Sequence, residues 1–297
     1  MKKGKELKNK QAFSLSEKEN YTKELIIQWY EYWEGKVYIS FSGGRDSTVL
    51  LHQVRKLFPE VPAVFIDTGL EYPEIRNFVK KIDNVEWIRP EIPFHEVIKK
   101  YGYPVISKIQ AQYIDNYRNS SSQKIRDLRW NGKDYGYGPQ YKISEKWKYL
   151  VEAPFKISDK CCDIMKKKPI KKYNKKSGRV PYIGMMAEES VQRKKQYLQA
   201  GCNVYSSKEP KSNPMFIWLL SDVLGYLKKY NLDYAKIYDI YGNTVRSTGC
   251  MFCLFGVHLE KNPNRFQLMK KNHPKQYNYC MNKLGVSQVL DFIGVDY

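Results

Sequence analysis

Val37-Tyr38-Ile39-Ser40-Phe41-Ser42-Gly43-Gly44-Arg45-Asp46-Ser47-Thr48-Val49-Leu50-Leu51 decides the fold of this chain. An apolar run stops at Ser42, two glycines follow, and a second apolar stretch opens at Thr48. That order predicts a strand at 37–41, a tight loop, and a helix over about 47–57. A glycine loop between strand and helix admits a phosphate where side chains would block it, so the loop reads as a phosphate cradle. Ser42 and Ser47 add hydroxyl donors, and Arg45 can neutralise phosphate charge. Asp46 is acceptor-only when ionised, which suits a magnesium or backbone role. A plain glycine turn is the bland alternative, and the flanking strand and helix weigh against it.

The alternation continues outward. Pro62-Ala63-Val64-Phe65-Ile66 is a second apolar run ending at Asp67-Thr68-Gly69, a helix is predicted over 74–81, and Val85-Glu86-Trp87-Ile88 is a third strand candidate. Val180-Pro181-Tyr182-Ile183-Gly184 is a further strand leading to Glu188-Glu189-Ser190, and Phe216-Ile217-Trp218-Leu219-Leu220 opens a mostly helical segment. Strands alternating with helices at this spacing predict an α/β fold, a doubly wound and mostly parallel sheet covered on both faces. Ligands of such sheets sit beyond the carboxyl ends of the strands, where 42–47 and 67–69 both fall. Residues 1–20 are polar and basic and read as a flexible or loosely docked arm. In 22–33, Leu25, Ile26, Trp29, Tyr30 and Trp33 recur at helical spacing. Residues 105–150 interrupt the rhythm with Asn119-Ser120-Ser121-Ser122 and an aromatic, glycine-bearing run over 130–138, and read as an insertion of helices and loops. The expected organisation is a basic arm and leading helix at 1–35, a nucleotide-binding α/β domain at 36–230, and a small, mainly helical C-terminal unit at 231–297.

Lys plus Arg number 51 against 31 Asp plus Glu in 297 residues, a formal net charge of +20. Such a balance attracts polyanions and anionic small molecules, and a lysine-, tyrosine- and asparagine-rich composition bias explains it equally well. Seven lysines fall within 166–176, a run suited to guiding a polyanion or to forming a solvated loop. No apolar run is long enough for a membrane span and none forms a signal-peptide centre, so the expected location is the cytoplasm. In that reducing compartment the six cysteines read as ligands, nucleophiles or buried thiols. Cys161 and Cys162 are adjacent, which precludes a relaxed disulfide between them, and Cys250-Met251-Phe252-Cys253 follows far along the chain. Four thiolates so arranged suggest a metal or an iron–sulfur cluster, with zinc the ordinary alternative. Cys202 stands alone and reads as a simple thiol. Cys280 reads as a buried thiol, a nucleophile or a further ligand. His258 and His273 read as structural.

On these residues the chain resembles a known family. The loop 42–47 resembles the PP-loop of adenine-nucleotide α-hydrolases. From roughly 37 to 253 the sequence resembles the adenylyl-sulfate and phosphoadenylyl-sulfate (APS/PAPS) reductase family. Asp67-Thr68-Gly69 with Pro73-Glu74 resembles its DTG…PE element, a wall of the adenosine pocket. Cys161-Cys162-Asp163-Ile164-Met165-Lys166-Lys167-Lys168-Pro169-Ile170 is similar to its CCxxRKxxPL element, with Met165 in place of arginine. Gly184-Met185-Met186-Ala187-Glu188-Glu189-Ser190 with Arg193 resembles GLRxxES…R, with Met186 in place of arginine. Arg45 replaces the lysine of the family's loop. The likeness runs on through Pro214, Trp218, Asp222, Val223, Tyr226, Tyr234, Tyr238 and Gly242 to the Cys250 pair.

The resemblance implies an adenine-nucleotide site formed by Ser40, Ser42, Gly43, Gly44, Arg45, Asp46 and Ser47, by Asp67, Thr68 and Gly69, and by Gly184, Glu189 and Arg193. It also implies a [4Fe-4S] cluster on Cys161, Cys162, Cys250 and Cys253, with Lys166 offsetting thiolate charge. The leading reaction implied is reductive cleavage of APS or PAPS to sulfite. Cys280 would attack sulfur with Lys166 as the accompanying catalytic residue, and a thiol donor such as thioredoxin would release the product. The rival is an ATP-dependent sulfurtransferase of the DNA-phosphorothioation or tRNA-thiolation type, in which ATP activates a nucleic-acid target. The two missing arginines, the absence of the family's ECGLH context around Cys280 and the +20 charge favour the rival; the CC…CxxC arrangement favours the reductase. A non-catalytic regulator that binds nucleotide and nucleic acid is a third reading. Expected partners are ATP, APS or PAPS with magnesium, the thiol donor, nucleic acid under the rival reading, and a second copy in a homo-oligomer, with no membrane.

Overall fold

Four-residue apolar runs, too short for helices, build the sheet. The strands are β1 (Val37–Ser40), β2 (Ala63–Ile66), β3 (Val85–Ile88), β4 (Val180–Ile183), β5 (Asn203–Val204) and β6 (Lys211–Ser212). In this computed structural model, which describes residues 2–132, 141–242 and 248–297, they form one sheet in the order β3-β2-β1-β4-β6-β5. All neighbours are parallel except β5 and β6, so the expected doubly wound, mostly parallel α/β architecture is what the chain adopts. β1, β2 and β4 each bury their first three residues, the continuous burial of strands covered on both faces. Tyr38 and Val64 pack with Ile170 and Tyr173 on one face. On the other, Ile39 lies in register with Tyr182, whose hydroxyl donates to the carbonyl of Ile26 at 2.7 Å.

The chain clusters into two compact units. The first comprises Met1–Asp67, Tyr72–Ile88 and Ile170–Thr248, and holds the sheet; the second comprises Thr68–Glu71, Arg89–Pro169 and Gly249–Tyr297. The helices of the first unit include α1 (Lys2–Gln11), α2 (Leu15–Tyr32), α3 (Arg45–Leu57) and α4 (Pro73–Val79), with Val191–Ala200 and Leu220–Lys229 later in the chain. Residues 2–11 and 15–20 are thus helical, where the sequence suggested a loose arm. Ser14 and Glu17 close a capping box that starts α2, Leu7 is 1 % exposed, and the buried Lys18 ammonium pairs with Asp222 at 2.6 Å. A polar average conceals these few inward-facing residues.

The second unit contains short helices at Phe94–Tyr101, Lys108–Asn119, Gln123–Asn131 and Lys160–Cys162, then Arg265–Asn272, Pro274–Asn278 and Val286–Phe292. Single parallel bridges join Tyr103 to Ile157 and Ile106 to Phe255. Of the aromatic run expected at 130–138, residues 133–138 lie outside the described residues. No described helix is long and apolar enough to cross a membrane.

The sheet positions a ligand-binding crevice within the first unit. From β1 the chain crosses to β2 on one side, whereas β4 flanks β1 on the other. The order therefore reverses at β1/β4, the switch point beyond whose carboxyl ends such sheets bind ligands. The loop after β1 and Gly184 after β4 meet there: a Cβ on Gly184 would lie 3.2 Å from the carbonyl oxygen of Asp46. Gly43 has φ +72°, and a Cβ there would lie 2.7 Å from Val79 Cγ2 and 2.9 Å from Ile75 Cγ2 of α4. Gly178 has φ +66° with nothing within 4 Å. Gly178→Ala is therefore expected to cost only the left-handed backbone strain, about 1 kcal/mol, and Gly43→Ala that strain plus the clash, roughly 2–4 kcal/mol. Urea denaturation of both variants checks this; equal losses would show that the contact with α4 does not constrain the loop.

Candidate functional site

The loop at 42–47 is knitted by its own hydroxyls. Ser47 Oγ donates to the carbonyl of Gly44 at 2.9 Å, accepts from the Ser42 amide at 3.3 Å, and lies 3.1 Å from Ser42 Oγ. Thr48 Oγ1 also donates to Gly44 O, at 2.9 Å. Gly44 is the N-cap of α3 in extended conformation with no side chain of its own to cap, so the first amides of a 13-residue helix open at the switch point. That is the arrangement in which a helix N-terminus receives an anion. A Cβ on Gly44 would lie 3.0 Å from Tyr238 Oη and 3.3 Å from Ser42 Oγ. Arg45 is 2 % exposed, its guanidinium 4.2 Å from the centre of the Tyr238 ring. It is held as a buried cation over an aromatic face. Ser40 ends β1, and Asp46 lies in the first turn of α3.

The other residues expected at the nucleotide are engaged in local pairs. Asp67, buried, accepts from Arg76 Nη2 at 3.1 Å. Glu189 accepts from the Met186 amide at 2.8 Å and is ion-paired with Arg193 one turn on. In the second unit, Thr68 donates through its amide (3.1 Å) and hydroxyl (2.6 Å) to the carboxylate of Glu71, and Gly69 turns with φ +74°.

The four cysteines of the CC and CxxC pairs meet. Cys161, Cys162, Cys250 and Cys253 line one cavity of the second unit together with Leu70, Phe94, Met165, Lys166 and Phe252. The Met251 amide donates to the carbonyl of Leu70 at 2.8 Å, and Arg265 Nη1 donates to the carbonyl of Cys253 at 3.0 Å, which fixes the CxxC loop from both sides. The enclosed space is small, about 20 Å³, room for roughly one water. Among the described residues no three His, Cys, Asp or Glu side chains are arranged to hold a single metal ion. Cys161 and Cys162 have sulfurs 4.0 Å apart. The hydrogen bond from Cys161, and then the charges of Lys108 and Lys166, hold the Cys162 thiol down. The same hydrogen bond, with burial, pushes Cys161 up. Burial pushes Cys250 up to about 11 and raises Cys253 as well. The Lys166 ammonium is favoured by Cys250 and then by Glu71. The donor set, four thiols and a compensating cation, fits a thiolate-ligated centre.

Cys280 is not among the residues lining this cavity. It sits in the π-helical segment Tyr279–Lys283, is 0 % exposed, and has its thiol pushed up by burial. Lys108 and Glu71 act on the cavity from far along the chain, and Tyr238 packs on Arg45 at the loop; no local spacing in the sequence signals these roles.

A family model described as the phosphoadenosine phosphosulfate reductase domain matches residues 36–254. An uncharacterised protein of Methanocaldococcus jannaschii is 24% identical over 288 residues, 93% of this chain and 54% of its own length. The chain thus spans about half the length of that curated relative. The adenosine 5'-phosphosulfate reductase 2 of Bacillus subtilis is 24% identical over 238 residues, 77% of each chain. A crystal structure of phosphoadenylyl-sulfate reductase from Candida auris, a phosphate complex, aligns with a TM-score of 0.46 and 18% identity over 77% of this chain and 87% of that one.

In metal-free, reduced protein, Cys162 is expected to be the first cavity thiol alkylated at pH 7. Its pKa is held below that of an ordinary thiol, so it keeps more thiolate at neutral pH than the other three, and labelling falls as pH drops. Lys166→Met removes one of the cations that favour the thiolate and should move the midpoint upward. Timed iodoacetamide labelling with peptide mapping checks both; Cys250 or Cys253 reacting first would contradict the assignment.

Proposed function

The chain belongs to the phosphoadenosine phosphosulfate reductase domain family, and from that premise we propose that it is a PP-loop enzyme of sulfur transfer. In this reading it binds an adenine nucleotide at 42–47 and carries a [4Fe-4S] centre on Cys161, Cys162, Cys250 and Cys253. The α3 amides and the hydroxyls of Ser42 and Ser47 would hold phosphate, with Asp46 available to magnesium. Gly43 and Gly44 keep side chains out of the phosphate path. The thiol-lined cavity supports the centre, since a lone zinc ion needs four donors closed at about 2.3 Å on one point and a cluster binds each thiolate through a different iron. When bound, such a centre supplies redox-active iron; Lys166 offsets the negative charge of its ligands.

One observation favours sulfur transfer over sulfonucleotide reduction: the two cysteines outside the cavity are both buried. Cys280 is 0 % exposed with its thiol raised, and burial pushes Cys202 up to about 12. Reduction by internal thiol attack needs an accessible thiolate, and neither residue offers one at neutral pH. ATP-dependent transfer needs none. An oxygen of the target attacks the α-phosphorus of ATP and pyrophosphate leaves. Hydrosulfide from an external donor then displaces AMP, which departs with that oxygen, and a proton is released. The +20 charge favours a nucleic-acid target.

Anaerobic protein incubated separately with APS, with PAPS, and with ATP, sodium sulfide and bulk tRNA or DNA tests this. Pyrophosphate and AMP are expected with ATP and nucleic acid, with no sulfite from either sulfonucleotide. Gly44→Val should abolish the ATP reaction, and Cys280→Ser should leave it intact if the fold is retained. Sulfite from APS or PAPS that disappears in Cys280→Ser would restore the reductase reading.

A further inference from the structure

Within the first unit, the helix Val191–Ala200 and the β5–β6 edge line a cavity of about 390 Å³ to which no residue of 42–47 contributes. Its size is that of a small-ligand site. Two of its lining side chains are polar and unsatisfied. Asn213 is 0 % exposed, yet neither its Oδ1 nor its Nδ2 has a hydrogen-bond partner among the described residues, and the same holds for Oε1 of Gln196. Buried carboxamides are ordinarily paired, because leaving them unpaired is costly. A cavity whose lining holds one carboxamide wholly unpaired and a second unpaired acceptor is suited to a ligand offering an adjacent donor and acceptor.

The remaining lining narrows the class. Phe216 gives an apolar wall, fixed edge-on to Tyr197 with ring centres 5.8 Å apart. Lys208 and Lys211 also line the cavity. The acidic residue among them, Glu209, is paired with Lys171 of the lysine-rich run at 2.7 Å, so the lining keeps a positive balance. A planar group with neighbouring donor and acceptor, an apolar face and an attached anion is a nucleotide. Asparagine makes its bidentate base contact with adenine, through N6 and N7. We propose that this cavity is a second nucleotide site, reading an adenine base through Asn213 and Gln196 with its phosphate toward Lys208 and Lys211. The base is either that of a free nucleotide or one unpaired in a strand.

Photolabelling separates these sources and separates this cavity from the loop. The probes are 8-azido-AMP and a single-stranded decamer bearing one 8-azidoadenosine, each followed by peptide mapping of the full chain. Label is expected within residues 191–216, reduced at least tenfold in Asn213→Leu and several-fold in Gln196→Leu, a change on a helix that leaves the backbone of the edge strand alone. Labelling by the decamer alone, weakened by salt and by Lys208→Ala, assigns the base to a strand; labelling by 8-azido-AMP assigns a free nucleotide. Either result stands whether or not the ATP reaction occurs. Label confined to other segments, or unchanged in both carboxamide variants while circular dichroism shows them folded, would overturn the proposal.

Discussion

The backbone of Gly43 constrains everything built at the switch point. Its left-handed turn lets β1 become α3 within four residues, and the absence of a Cβ lets Ile75 and Val79 of α4 close against it. Gly184 does the same from β4, where its missing side chain admits the Asp46 carbonyl. Two strands and two helices are thereby fixed around the amino end of α3, whose open amides are the site's chief chemical asset. Arg45 shows how tightly the start of that helix is packed: a guanidinium next to the loop is buried on Tyr238.

In the second unit the governing interaction is electrostatic. Four thiols in one cavity cannot all ionise without positive compensation, and Lys166 and Lys108 supply it: both favour the Cys162 thiolate, and the Lys166 ammonium is in turn favoured by Cys250 and Glu71. The distribution is uneven, with one thiol shifted down and the other three up. Ligand binding that requires four thiolates must therefore release protons, which makes assembly pH-dependent.

The parts of the fold legible in the sequence were those that local physics dictates. Short apolar runs bounded by glycine or acidic turns gave β1 to β4, and α3 started only slightly before its expected residue because Gly44 serves as its cap. β5 and β6, two residues each, carry no periodicity to read. The helical character of 2–11 and 15–20 is not evident from sequence because buried Leu7 and Lys18 are outnumbered by exposed charges. Of the candidate site, the cysteine pairs were legible as pairs, and their convergence on one cavity with Lys166 followed the resemblance. The stacking of Arg45 on Tyr238 and the burial of Cys280 depend on long-range packing, which neither spacing nor residue type encodes.

The central claim is that the four cavity cysteines hold an iron–sulfur cluster. Its most direct test is the metal and sulfide content of anaerobically purified protein, measured with Mössbauer spectroscopy on iron-57-enriched samples. About four irons and four acid-labile sulfides per chain are expected with the signature of a [4Fe-4S] centre, depleted in Cys162→Ser and Cys253→Ser and retained in Cys280→Ser. Stoichiometric zinc without sulfide in the unaltered chain would contradict the account.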